Sequence, residues 1–127
     1  MDYSPKSLPK IDEVEIVSLK NIDADRASEY MKEAYDAPFV KIDDELAQQI
    51  SELWRKLPTD GQMRCHIPPF GLRFFQHGNL ILQGSICWEC NNIYGDEKGV
   101  SFSYEFNANH QISQKLLAIC KDSFNNL

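Results

Sequence analysis

Apolar residues recur with two different periods along this chain, and the change falls close to residue 60. Before it, Leu46, Ile50, Leu53, Trp54 and Leu57 fall on one stripe at helical spacing. Asp43 is placed to cap that helix, Asp44 and Glu45 favour its first turn, and Pro58 stops it. Upstream, the short β-branched run Val14 to Leu19 predicts a strand. Asp23 can then cap a helix through Ala27, Tyr30, Met31 and Ala34 that ends before Asp36-Ala37-Pro38. Residues 1–12 hold Pro5 and Pro9 and little periodicity, so they are expected to form an extended or disordered lead-in to one domain over 13–127.

Past Thr59-Asp60-Gly61 the period becomes two. Strands are predicted over about 70–76 and 79–90, around a turn at His77-Gly78-Asn79, and over 100–106 after a loop from Gly95 to Gly99. A final helix starts near Gln111, capped by Asn109, with Ile112, Leu116, Ile119 and Cys120 on its apolar side. The expected class is therefore α+β: an antiparallel β-meander with a short N-terminal strand and helices packed on one face.

Two registers compete for the first hairpin. A two-residue turn at His77-Gly78 pairs Phe74 with Ile81 and mixes polar with apolar residues on both faces. A three-residue loop over His77 to Asn79 pairs Phe74 with Leu82 and Leu72 with Gly84, and is preferred because it gathers Leu72, Phe74, Leu80, Leu82, Ile86 and Trp88 on one core face. Phe102, Tyr104 and Phe106 can join that face. The other face then carries Arg73, Phe75, Ile81, Gln83, Ser85, Cys87 and Glu89, with Ser101, Ser103 and Glu105. It is a polar face that could meet solvent or a partner.

The length of 127 residues suits one core. No apolar run approaches the roughly 20 residues that span a bilayer, and nothing near Met1 has a signal-peptide layout, so a soluble, cytoplasmic chain is expected. The net charge of -6 arises entirely in residues 1–60, where 14 acids face 8 Lys/Arg; residues 61–127 hold 5 of each. Without a basic stripe, neither nucleic acid nor an anionic membrane is an expected partner. A protein partner is, and the acidic half is a candidate surface for a basic one. The sequence does not specify an oligomeric state.

Four cysteines supply the remaining chemistry. Cys87-Trp88-Glu89-Cys90 is a C-x-x-C, a spacing that serves zinc or redox chemistry. If the strand runs through Cys90, the two sulfurs point to opposite faces and can neither chelate nor bridge. A reversal after Cys87, for which Asn91-Asn92 are suitable, would change that. A zinc centre would draw on Cys65, His66, Cys87 and Cys90. A thiol enzyme would need Cys87 or Cys65 as nucleophile, His66 or His110 as base and Glu89 or Glu105 to orient it. Cys120 reads as core and His77 as a solvated turn residue. Phosphate-loop and common hydrolase signatures are absent, and no cofactor other than zinc is suggested.

"RCHIPPFGLRF" followed by "ICWEC" resembles small bacterial proteins that pair a C-H-x-P-x-x-G-L-R-like segment with an I-C-[WF]-E-C strand ahead of a helix with a Leu-Leu pair, here Leu116-Leu117. That group has no assigned activity. The resemblance spans Arg64 to Leu117 and implies that Cys65, Arg73, Cys87 and Cys90 form one constellation. The leading expectation is a non-enzymatic binding domain that uses the polar sheet face (Arg73, Gln83, Ser85, Cys87, Glu89, Glu105) and the acidic half. A zinc domain and a thiol–disulfide module based on Cys87 and Cys90 are the alternatives.

Overall fold

The computed structural model describes residues 3–60 and 65–125. Gly61 of the expected turn, Arg64 at the head of the motif and Met1 of the lead-in lie outside the described residues. Six strands form one sheet: β1 (Glu13–Ser18), β2 (Phe39–Asp43), β3 (Phe70–Gln76), β4 (Asn79–Cys87), β5 (Asn92–Glu97) and β6 (Val100–Glu105). Their order is β2-β1-β3-β4-β5-β6, antiparallel throughout. Three helices accompany them: α1 (Tyr30–Glu33), α2 (Asp44–Arg55) and α3 (Gln111–Asn125). The α+β meander expected from the sequence is the architecture found.

The stripe on α2 buries Ala47, Ile50, Leu53 and Trp54 against the sheet, where Trp54 meets Phe74 edge-on at 5.1 Å between centroids. Leu72, Phe74, Leu82 and Ile86 form the facing layer, and α3 closes the core with Leu116 and Cys120. Asp43 occupies the N-cap position of α2 in extended conformation, but its side chain makes no capping bond. At α3 the cap is His110 rather than Asn109: Nδ1 of His110 accepts the Ile112 N–H at 3.1 Å. The helix expected from Asp23 is reduced to a 3-10 turn at Ala27–Glu29 followed by the single turn of α1.

The first hairpin combines both registers weighed from the sequence. The turn has two residues, His77 and Gly78, at φ 51° and 81°, as a tight hairpin requires. Phe74 nevertheless pairs with Leu82 and Leu72 with Gly84, because a bulge between Phe74 and Phe75 adds one residue to β4. Ile81 is that extra residue. It turns into the core, and Leu80, expected there, is 40% exposed.

Four further expectations change. β5 runs through the expected loop at 95–99, and the turn proper is Lys98-Gly99, both at positive φ. The predicted strand 79–90 stops at Cys87, and β2 follows Pro38 where no strand was expected. The described part of the lead-in, residues 3–12, is packed rather than free: Leu8 and Ile11 are buried, and Arg55 of α2 donates to the carbonyls of Leu8 and Pro9.

The sheet's second face is not simply wet. Val17, Leu19, Met31, Ala34 and Ala37 form a small second core on it, and α1 lies across with Met31 over Gly71. A Cβ at position 71 would meet the Met31 sulfur and methyl, so the end of that side chain would have to shift for α1 to keep its place.

Candidate functional site

The chain reverses immediately after Cys87. Residues 88–91 form the loop between β4 and β5, with Asn91 at φ 57° in the left-handed region that asparagine tolerates. The reversal places the Cys90 N–H on the Cys87 sulfur at 3.2 Å. Cys90 itself is joined by a disulfide to Cys65, on the segment that leads into β3. Cys87 and Cys120 are free thiols, both buried. Burial alone pushes the Cys120 thiol up to about 12, in keeping with its expected core role.

Next to the disulfide, His66 inserts between Tyr30 of α1 and Tyr94 of β5, edge-on to both rings at 5.4 Å and 4.8 Å. Its Nδ1 lies 2.6 Å from Asn92 Oδ1 and its Nε2 2.7 Å from Ser85 Oγ. The Asn92 Nδ2 donates to the Cys65 carbonyl at 2.7 Å, which leaves Oδ1 as the acceptor and puts the imidazole proton on Nδ1. Nε2 then accepts from the Ser85 hydroxyl, which has the Tyr94 carbonyl at 3.2 Å as an alternative acceptor. Burial lowers the His66 pKa, opposed by the bond to Asn92, so the neutral ring is the stable form at neutral pH.

Serine, neutral histidine and an orienting amide follow the order of a nucleophile, its base and a positioning group. Enclosure separates this trio from an active site. Ser85 is 1% exposed, and its hydroxyl meets His66 and the Tyr94 carbonyl rather than solvent. What the arrangement does chemically is tie the Cys65-His66 segment to the sheet through one covalent bond and three hydrogen bonds.

The residues singled out from sequence fall into two groups. Cys65, His66, Ser85, Cys87 and Cys90 come together at the β4–β5 end of the second face. Arg73 does not join them: it pairs with Glu15 at 3.2 Å and donates to the Ala34 carbonyl at 3.0 Å, under the other end of α1. Gln83 is engaged with Asp96. Glu89 is exposed in the loop, and Glu105 is half-buried with its carbonyl accepting from the Asp60 N–H and the Thr59 hydroxyl. The polar face is thus largely covered at Arg73, Ser85 and Cys87, because α1 and the Cys65-His66 segment lie over it. Of the bases considered for a thiol enzyme, His110 is a helix cap and His66 is committed to Ser85 and Asn92.

The four residues considered for zinc do converge, but not as a ligand set in this form. Cys65 and Cys90 are bonded to each other and offer no thiolate, and both nitrogens of His66 are engaged. Sequence reasoning missed Asn92, Tyr94 and Tyr30, which hold the histidine. The Asn-Asn pair after the C-x-x-C was the available signal, recognised for its turn but not for its amide. No helix among the described residues is long and apolar enough to cross a membrane. No family model matches the chain, and no curated protein or solved structure matches it significantly.

Proposed function

We propose that the chain is a non-enzymatic binding domain that captures an extended, basic segment of a partner protein by strand addition at β6. The observation that carries this is the open edge of that strand. Lys98 and Gly99, at φ 49° and 85°, form a two-residue turn, so Glu97 and Val100 are the first hydrogen-bonded pair of the β5–β6 hairpin. Alternation then points the backbone groups of Ser101, Ser103 and Glu105 outward. The Asp60 N–H on the Glu105 carbonyl at 3.2 Å agrees with that assignment and occupies the far end of the edge. β6 is the last strand of the sheet, so Ser101 and Ser103 offer the donors and acceptors that strand addition uses.

Beside this edge lies a groove of about 500 Å³, with Tyr3 and Ser7 on one side and Val100 and Phe102 on the other. Val100 is 68% exposed and suits an apolar side chain of the partner. Glu97 on the groove wall and the net charge of -6 favour Lys or Arg at neighbouring positions.

Short random peptides displayed on phage and panned against the chain test this. Selected peptides should alternate apolar with basic residues and lose binding to Ser101→Pro and Ser103→Pro, which remove outward N–H groups and leave the β5 ladder intact. Equal binding to wild type and both proline variants would overturn it. A second reading, zinc held by Cys65, Cys87 and Cys90, is favoured by the convergence of three sulfurs and belongs to the reduced chain. Metal analysis of protein purified under reducing conditions without chelator tests it, and a zinc-free reduced chain would dismiss it.

A further inference from the structure

Three sulfurs meet at the β4–β5 loop, and only two of them are bonded. Cys87 Sγ is held on the Cys90 N–H at 3.2 Å, while Cys90 Sγ is bonded to Cys65. Their solvent access differs: Cys87 and Cys90 are 0% and 1% exposed, whereas Cys65 is an exposed residue. A four-residue reversal brings positions i and i+3 to within about 7 Å, which overlaps the Cα separations of roughly 4.4–6.8 Å that disulfides span. Cys87 is therefore placed to bond Cys90 if Cys65 leaves, and Cys65 is the sulfur with a way out to solvent.

We propose that the three cysteines form an exchange relay that converts the Cys65–Cys90 disulfide into Cys87–Cys90 and releases Cys65 as an exposed, reactive thiol. The buried Cys87 thiol loses its proton to hydroxide when the β4–β5 loop opens, and the thiolate attacks Cys90 Sγ. The Cys87–Cys90 bond forms as the Cys65–Cys90 bond breaks, the electron pair leaves on Cys65 Sγ, and solvent returns the proton there. One disulfide is exchanged for another, so no external oxidant or reductant is consumed. The released Cys65 thiolate can then attack a disulfide R–S–S–R, forming Cys65–S–S–R and expelling R–S⁻. A groove of about 300 Å³ is lined by Ile67, two residues along the chain from Cys65, and by Glu89, the neighbour of Cys90. The exchange also frees the segment that carries His66, leaving it tied by hydrogen bonds alone. The relay is independent of the β6 edge.

The test is incubation of the oxidised chain with glutathione disulfide at about pH 8, near the free thiol pKa of about 8.5, followed by peptide mapping of the sulfur linkages. Wild type should gain one glutathione on Cys65 together with a Cys87–Cys90 disulfide. Cys87→Ser and Cys87→Ala should gain none, and Cys120→Ser, which removes the other buried thiol, should behave as wild type. Wild-type protein that retains only the Cys65–Cys90 linkage would overturn the proposal without reference to any variant. So would equal glutathione uptake by wild type and a folded Cys87 variant.

Discussion

Asn92 fixes the proton of His66 on Nδ1, because one amide both accepts from the ring at 2.6 Å and donates to the Cys65 carbonyl at 2.7 Å. The histidine is therefore tuned by neighbours on two strands, and the substitutions Asn92→Asp and Ser85→Ala should move it in opposite directions. Asn92→Asp places a carboxylate on Nδ1–H and should raise the His66 pKa. Ser85→Ala removes the one oxygen able to accept a proton from Nε2 and should lower it further. Proton NMR titration of the His66 ring reads both, and shifts of the same sign in the two variants would contradict the arrangement.

The lowered pKa of His66 also sets a pH dependence of stability. The unfolded ring titrates near its ordinary value of about 6.5, and the folded ring binds its proton only at lower pH. Between those values the unfolded chain holds a proton that the folded chain lacks, so this contribution is complete above about pH 6.5 and is lost as pH falls through the folded value. Melting temperatures of wild type and His66→Gln, followed from about pH 8 to 5, should converge as the pH drops below the unfolded value. Parallel curves would show that the ring titrates alike in both states.

Most of the β-meander could be read from alternation, because the positions of Leu72, Phe74, Leu82 and Ile86 leave one face that can be core. β5 could not, since Asn92, Gly95, Asp96 and Glu97 are poor strand formers; pairing on both sides overrides propensity there. The bulge at Phe74/Phe75 was likewise invisible, because moving Ile81 in and Leu80 out exchanges two residues of equal hydrophobicity. The sequence brought Cys65, His66, Cys87 and Cys90 forward as a group, but the partner of Cys90 depends on where the Cys65 segment crosses the sheet. That path is set by contacts of high sequence separation, His66 with Asn92 and Tyr30, which no local pattern encodes.

The disulfide spans 25 residues that include β3 and β4, so it restrains the unfolded chain across the first hairpin. Loop-closure entropy for that length gives a stabilisation of about 3–4 kcal/mol. Reduction should lower the unfolding free energy read from urea denaturation by an amount of that order, and the Cys65→Ala, Cys90→Ala double variant should match the reduced wild type. A midpoint indifferent to reductant would mean that the His66 hydrogen bonds alone hold the segment.

Gly71 offers a selective way to disturb the second face, because the residue it accommodates, Met31, belongs to the α-helical turn that lies there. An added methyl in Gly71→Ala meets the Met31 sulfur, the end of a flexible side chain that can shift, so the loss should fall at the lower end of overpacking costs, about 1 kcal/mol. Met31→Ala opens a cavity of its own, yet it also makes room for the methyl, so the double variant should be more stable than the sum of the two single losses by about 0.5–1 kcal/mol. The consequences should extend beyond stability. Tyr30 of the same turn packs on His66, and Ala34, just past its end, accepts from Arg73. Lifting α1 should therefore expose the histidine and move its pKa toward the ordinary value, with the disulfide still formed. Denaturation midpoints with an NMR titration of His66 in all four proteins separate the outcomes. Additive losses would show that α1 does not rest on Gly71, and an unmoved His66 would show that Tyr94 and Asn92 shield it without help from α1.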